Sequence, residues 1–237
     1  MPRVGSVSRE TLFSALFNVS EMFHVKHQTS IPKILLEEAR RVGCTPPEGD
    51  LDRLAEALEW LGPAAFRLGL TNYATTAEFT ANLAAPVLSL LQASAAPLLQ
   101  SPALDFGAGS GAVGITVAIL RPDLQVILAD RRARVVQFID LGLRRLRLAN
   151  CTALEADLAN PPDDFREAVG TVLIRAFGPT AVALTHASRL VCPGGSIALW
   201  HQPPAPPPPA DLRLADTLRT GVPSLALSLY ERDIEAP

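Results

Sequence analysis

The stretch Leu104-Asp105-Phe106-Gly107-Ala108-Gly109-Ser110-Gly111-Ala112-Val113-Gly114-Ile115 constrains this chain more than any other. A short apolar run ends, four glycines follow at close spacing, and an apolar helical pattern begins. Glycine lets the backbone turn sharply and lets a ligand approach with no Cβ in the way. A strand, a glycine turn and a helix N-terminus together make the ligand-binding edge of a parallel sheet.

The rest of the chain after Pro102 fits that reading. Candidate strands at 103–106, 124–129, 152–155, 171–174, 196–200 and 224–230 alternate with candidate helices at 112–120, 133–148, 180–190 and 210–220. Alternation of this kind predicts a Rossmann-like α/β fold, with a doubly wound, mostly parallel sheet. The last strand is expected to be antiparallel. Residues 203–209, rich in proline, are expected as an extended loop because proline has no N–H to donate.

The first hundred residues read differently. Residues 1–30 show no sustained periodicity and are expected to form a flexible tail. Ser30-Ile31-Pro32 resembles a cap with an early proline, and Gly43 ends the helix it starts. Asp50 is expected to cap a second helix carrying Leu51, Leu54, Leu58 and Leu61, closed by Gly62-Pro63. A third helix is expected from about Thr76 to Leu91. The division is therefore a tail (1–30), a helical subdomain (31–100) and a ligand-binding Rossmann-like domain (101–237).

Composition narrows the function. The 237 residues carry a formal charge of −3, which argues against a generic polyanion binder but leaves room for a local basic face. No stretch approaches the roughly 18 uninterrupted apolar residues of a membrane span, and no secretory signal is evident. A cytoplasmic location and no membrane partner are expected. Cys44, Cys151 and Cys192 are too few and too far apart for a disulfide framework or a metal motif, and read as buried thiols. His24 and His27 lack an acidic companion, so no metal site is expected.

Two acids select the ligand. Gly109-Ser110-Gly111-Ala112-Val113-Gly114 matches the dinucleotide pattern GxGxxG. Asp130 lies about 20 residues further on, where a carboxylate receives ribose hydroxyls. Asp105 opens the glycine turn at a position where it would repel a pyrophosphate. The ammonium of S-adenosylmethionine (SAM) suits a carboxylate there. Asp157, after the third strand, is placed to accept a hydrogen bond from an adenine amino group. The SAM-binding set is thus Asp105, Gly107, Gly109, Gly111, Asp130 and Asp157.

With these residues, the chain resembles class I SAM-dependent methyltransferases, and within them the RsmG (GidB) family over about residues 31–235. The resemblance rests on the glycine turn, Leu120-Arg121-Pro122, Asp130 with Arg134-Val135-Val136-Gln137-Phe138, Asn150, Ile174-Arg175-Ala176-Phe177 and Pro193-Gly194-Gly195. It implies methylation of N7 of a guanine, with 16S ribosomal RNA or the 30S particle as partner and a monomeric enzyme. The acceptor-side residues it implies are Arg175 and His201, with Phe177 as a base-stacking candidate. Arg131, Arg132, Arg134, Arg144, Arg145 and Arg147 are candidates for an RNA face. The chain departs from the family at the usual His-x-x-Asp-Ser motif, where it has Leu83-Ala84-Ala85-Pro86. It also has Ile174 for a serine and His201 for a lysine. A paralogue with another acceptor, or a non-catalytic SAM- or RNA-binding protein, remain alternative readings. One codon choice for Met22-Phe23-His24-Val25-Lys26-His27 spells a palindrome matching a chromosome-partitioning site, so that peptide is expected to reflect selection on DNA, with Met22 an alternative start.

Overall fold

The computed structural model describes residues 30–47, 49–92, 94–161 and 163–234. The expectations for residues 1–29, including His24, His27 and the peptide from Met22, lie outside them. Two helices come first, α1 (Ile31–Val42) and α2 (Asp50–Arg67), then a single turn, α3 (Thr76–Phe79). The sheet follows as β1 (Ala103–Phe106), α4 (Ala112–Leu120), β2 (Val126–Asp130), α5 (Ala133–Leu146), β3 (Cys151–Glu155), β4 (Val169–Arg175), α6 (Thr180–Ser188), β5 (Val191–His201), β6 (Leu212–Arg219) and β7 (Ala226–Arg232).

The seven strands lie in the order β3-β2-β1-β4-β5-β7-β6. Pairings are parallel from β3 through β5, and β7 is antiparallel to both β5 and β6. β7 alone therefore runs against the other six, as expected for the last strand. Strand order reverses between β1 and β4. In such sheets the crevice at that reversal, outside the carboxyl ends of the strands, receives the ligand.

One face of the sheet, with Leu128, Leu173 and Trp200, is covered by α4, α5 and the helices before β1 in one continuous core. The other face, with Phe106, Ile174 and Leu199, is covered by α6. All nine residues of α4 are buried, since it lies between the sheet and the N-terminal helices. Trp60 of α2 stacks on Phe138 of α5 with ring centroids 5.6 Å apart, which fastens the two parts together.

Five local expectations are corrected. α2 does not close at Gly62-Pro63 but runs one turn further to Arg67. Ala64 and Ala65 are buried there, and that burial offsets the hydrogen bond Pro63 cannot donate. Its N-cap is Gly49, with Asp50 in the first turn. The third helix is broken into α3, a π turn at Thr80–Ala84 and a 3-10 segment at Ala85–Leu91 containing Pro86. Residues 210–220, expected as a helix, instead form β6. A register shift between Leu214 and Asp216 breaks the alternation of that strand. Leu212, Ala215 and Leu218 then fall at a spacing of three, which imitates a helix. The three cysteines are half-buried rather than buried.

Candidate functional site

The glycine turn gives the β1 edge its shape. Gly107, Gly109 and Gly111 have φ of 74°, 54° and 77°, in the left-handed region where a Cβ is strained. A Cβ at Gly107 would also stand 2.5 Å from the Phe177 ring, so the β1 and β4 ends meet there. Gly114, one turn into α4, closes the helix onto the sheet. A Cβ there would lie 2.7 Å from Leu128 and 2.9 Å from Asp105.

Asp105 is 3% exposed and its Oδ2 accepts the Gly114 N–H at 2.8 Å. Burial pushes its carboxyl up to about 7, against the pull of that hydrogen bond, with Asp130 nearby adding to the rise. Asp130, at the end of β2, is 5% exposed. Its Oδ2 accepts the Gly109 N–H at 3.1 Å and Arg132 Nη2 at 3.0 Å. Its Oδ1 accepts the Arg132 N–H at 3.0 Å and Nε at 2.9 Å. Burial opposes ionisation, but these donors prevail and hold the carboxyl below its usual range. Asp157 is exposed and caps its own turn, accepting from Ala159 N at 3.1 Å and Asn160 Nδ2 at 3.2 Å. Asp105, Asp130 and the three glycines are thus gathered around one turn, and Asp157 stands outside it on the loop after β3.

The β4 end is built otherwise. Arg175 donates through Nη2 to the Asn82 carbonyl in the π turn. Its Nη1 is buried with no partner among the described residues. Burial draws its guanidinium down to about 10, an unusual state for arginine. Ala176 follows with φ of 55°, a conformation costing roughly 1–2 kcal/mol for a residue with a Cβ. That turn carries Phe177 back over Gly107, where its ring meets Phe106 edge-on at 4.4 Å.

His201 is not brought to this group. Arg175 pairs in register with Trp200, so the two side chains share a face and His201 takes the opposite one. It is 4% exposed, with Nε2 2.8 Å from Ser228 Oγ and Nδ1 2.9 Å from the Gln202 carbonyl. The arginines also divide. Arg132 holds Asp130, Arg144 pairs with Asp140, and Arg145 lies over Trp60. Sequence reasoning missed the Asn82 carbonyl as the seat of Arg175. No local signal marks it, because the contact spans 93 residues.

The strand order, with β7 alone reversed, and the glycine turn at the strand reversal define a Rossmann-like methyltransferase fold. The Escherichia coli protein described as methyltransferase yhhF shares it, at 19% identity and TM-score 0.50 over 63% of this chain and 86% of that one. A family model, that of rRNA small subunit methyltransferase G (GidB), matches residues 51–201, and the chain belongs to that family. A ribosomal RNA small subunit methyltransferase G of Burkholderia ambifaria is 35% identical over 130 residues, 52% of this chain and 56% of that protein. Its counterpart from Alkalilimnicola ehrlichii is 30% identical over 163 residues, 66% of this chain and 69% of that one. The chain thus spans a little over half the length of the Burkholderia relative.

Proposed function

We propose that the chain is a SAM-dependent methyltransferase that modifies N7 of a guanine in 16S ribosomal RNA. The observation that carries the reading is the joint of Gly109 and Asp130 at the strand reversal, in a chain of this family. The Asp130 carboxylate is fixed on the turn by the Gly109 and Arg132 backbone N–H groups, and its remaining partner is the half-exposed Arg132 side chain. That fork can swing into solvent and leave accepting capacity on each oxygen to a ribose diol. A Cβ at Gly109 would meet only the Gly107 carbonyl, at 3.8 Å, so the turn is open where a ligand would lie. Asp105, poised to ionise near neutrality, suits an ammonium group. These residues fit SAM, and we assign its adenine amino group to Asp157, on the loop after β3.

When bound, SAM supplies a methyl group on a sulfonium centre, which leaves as the sulfur recovers its electron pair. Guanine N7 carries a lone pair at neutral pH and no proton, so the chain needs no general base. What it must supply is alignment. Arg175 has a donor with no partner among the described residues, on the adjacent strand, and can hold guanine O6 or a phosphate through its planar fork. Phe177 forms the wall between the two strand ends. His201 supports that edge by tying β5 to β7. We place the enzyme in the cytoplasm as a monomer. No helix among the described residues is long and apolar enough to cross a membrane, and no cluster there suits a metal ion.

The test is a calorimetric titration with SAM, paired with methyl transfer from labelled SAM to 30S particles lacking the family's modification. SAM binding that survives Asp130→Ala and Gly109→Trp undiminished defeats the site. Binding without transfer defeats the activity.

A further inference from the structure

On the far edge of the sheet, three helices enclose a cavity of about 480 Å³ that the proposed transfer site does not use. Arg53, Glu56, Ala57 and Trp60 of α2 line it, with Ile119 of α4 and, at the end of α5, Arg145, Leu146 and Arg147. α5 begins just after Asp130 and has 14 residues, so this cavity lies about 20 Å from that carboxylate.

The charge in it is unspent. The guanidinium groups of Arg53, Arg145 and Arg147 have no carboxylate partner among the described residues. Glu56 lines the same cavity without closing an ion pair on any of them. α4 and α5 both end here, and each carbonyl end brings roughly half a negative charge. Three positive charges exceed Glu56 and two helix ends by about one unit. The arginines are also held ready. Trp60 packs closely on α5, where a Cβ at Gly142 would stand 2.9 Å from its ring, and Arg145 rests 5.9 Å above that ring. Arg147 has φ of 52°, a conformation that glycine would adopt at no cost. A helix end needing only a stop would favour glycine there.

We propose that this cavity is a second phosphate-binding site, which grips the backbone of the RNA substrate away from the methylated base. Planar guanidinium forks match phosphate oxygens in pairs, and an aromatic floor keeps one of them oriented. A grip here would compensate for the altered family motif at Leu83-Ala84-Ala85-Pro86, near the transfer site. The inference rests on the reading of the chain as an enzyme acting on 16S ribosomal RNA.

The test measures binding of a 16S ribosomal RNA transcript and of 30S particles by the full chain at several salt concentrations. Arg53→Glu and Arg145→Glu are compared with Arg144→Glu, which makes the same charge change on an exposed position beside the cavity. The double variant Arg53→Glu/Arg145→Glu should bind the transcript at least tenfold more weakly than Arg144→Glu, with a salt slope lower by about 2. Arg53→Glu alone, which leaves the Trp60 stack intact, should show roughly half that change in slope, and Glu56→Gln should bind more tightly. SAM affinity and thermal unfolding should match the parent and report that the variants fold. Unchanged transcript affinity in the double variant overturns the proposal. Loss of affinity for the particle alone overturns it too, and marks a surface for a ribosomal protein. A parent chain that binds SAM but not the transcript instead overturns the functional reading itself.

Discussion

Around β1 the carboxylates are already occupied: Asp105 by the Gly114 N–H, and Asp130 by Gly109 and Arg132. At the end of β4, next to it in the sheet, Arg175 keeps one buried nitrogen without a partner among the described residues and leans on a carbonyl from the N-terminal helices. The first region is a finished backbone turn, whose polar groups are preset for a ligand of fixed shape. The second is an unfinished contact that, on the proposed function, a substrate would complete. On the proposed function, the β1 side would govern affinity for a small cofactor, and the β4 side what is done with it.

Removing Arg175 should break that division most visibly. Arg175→Ala should slow methyl transfer by about 10²–10³-fold, the usual cost of one aimed donor, while SAM affinity stays within about twofold by calorimetry. Arg175→Lys should recover little, because an ammonium lacks the planar fork. An equal loss of SAM affinity in either variant would merge the two regions. Asp130→Ala is the converse. It should weaken SAM binding by about 10–100-fold, as for loss of a charged acceptor, with transfer at saturating SAM close to normal.

Smaller effects sharpen the account of the turn. Gly114→Ala should destabilise the fold by about 1–3 kcal/mol in urea, since the added methyl meets Leu128 and Asp105 with nowhere to go. Asp105 should give a pH signature of known sign. Its folded carboxyl titrates near 7 and its unfolded one near 3.8, so over that window only the unfolded chain is ionised. Stability should fall as pH rises from about 4 to about 7 and then level off. SAM affinity should rise through about 7 as the carboxylate forms. Asp105→Asn should remove both slopes, and a slope that persists in it would assign the titration elsewhere. The smallest effect belongs to His201. His201→Gln should lower stability by about 1 kcal/mol and change the transfer rate by less than about threefold.

The same contrast explains what the sequence discloses. Gly109, Gly114 and Asp130 act through neighbours within 21 residues, and their roles follow from glycine geometry and strand–helix alternation. Six of the seven strands are legible for the same reason. β6 was hidden by a bulge that shifted its apolar residues to a helical spacing. Arg175 was legible as a strand-end arginine, but its seat on Asn82 was not, because no local pattern specifies a contact across 93 residues. His201 follows Trp200 in sequence and looks adjacent to the site. Only the register, which pairs Trp200 with Arg175, sends it to the opposite face.

The central claim is that a complete cofactor turn and a substrate-completed arginine edge together methylate one guanine of 16S ribosomal RNA. The most direct measurement is mass spectrometry of nucleosides from 30S particles of a strain lacking the family enzyme, treated with this chain and SAM. The account predicts 7-methylguanosine at one site, abolished by Arg175→Ala. A chain that binds SAM yet leaves the RNA unmodified, or that methylates another base, would contradict it.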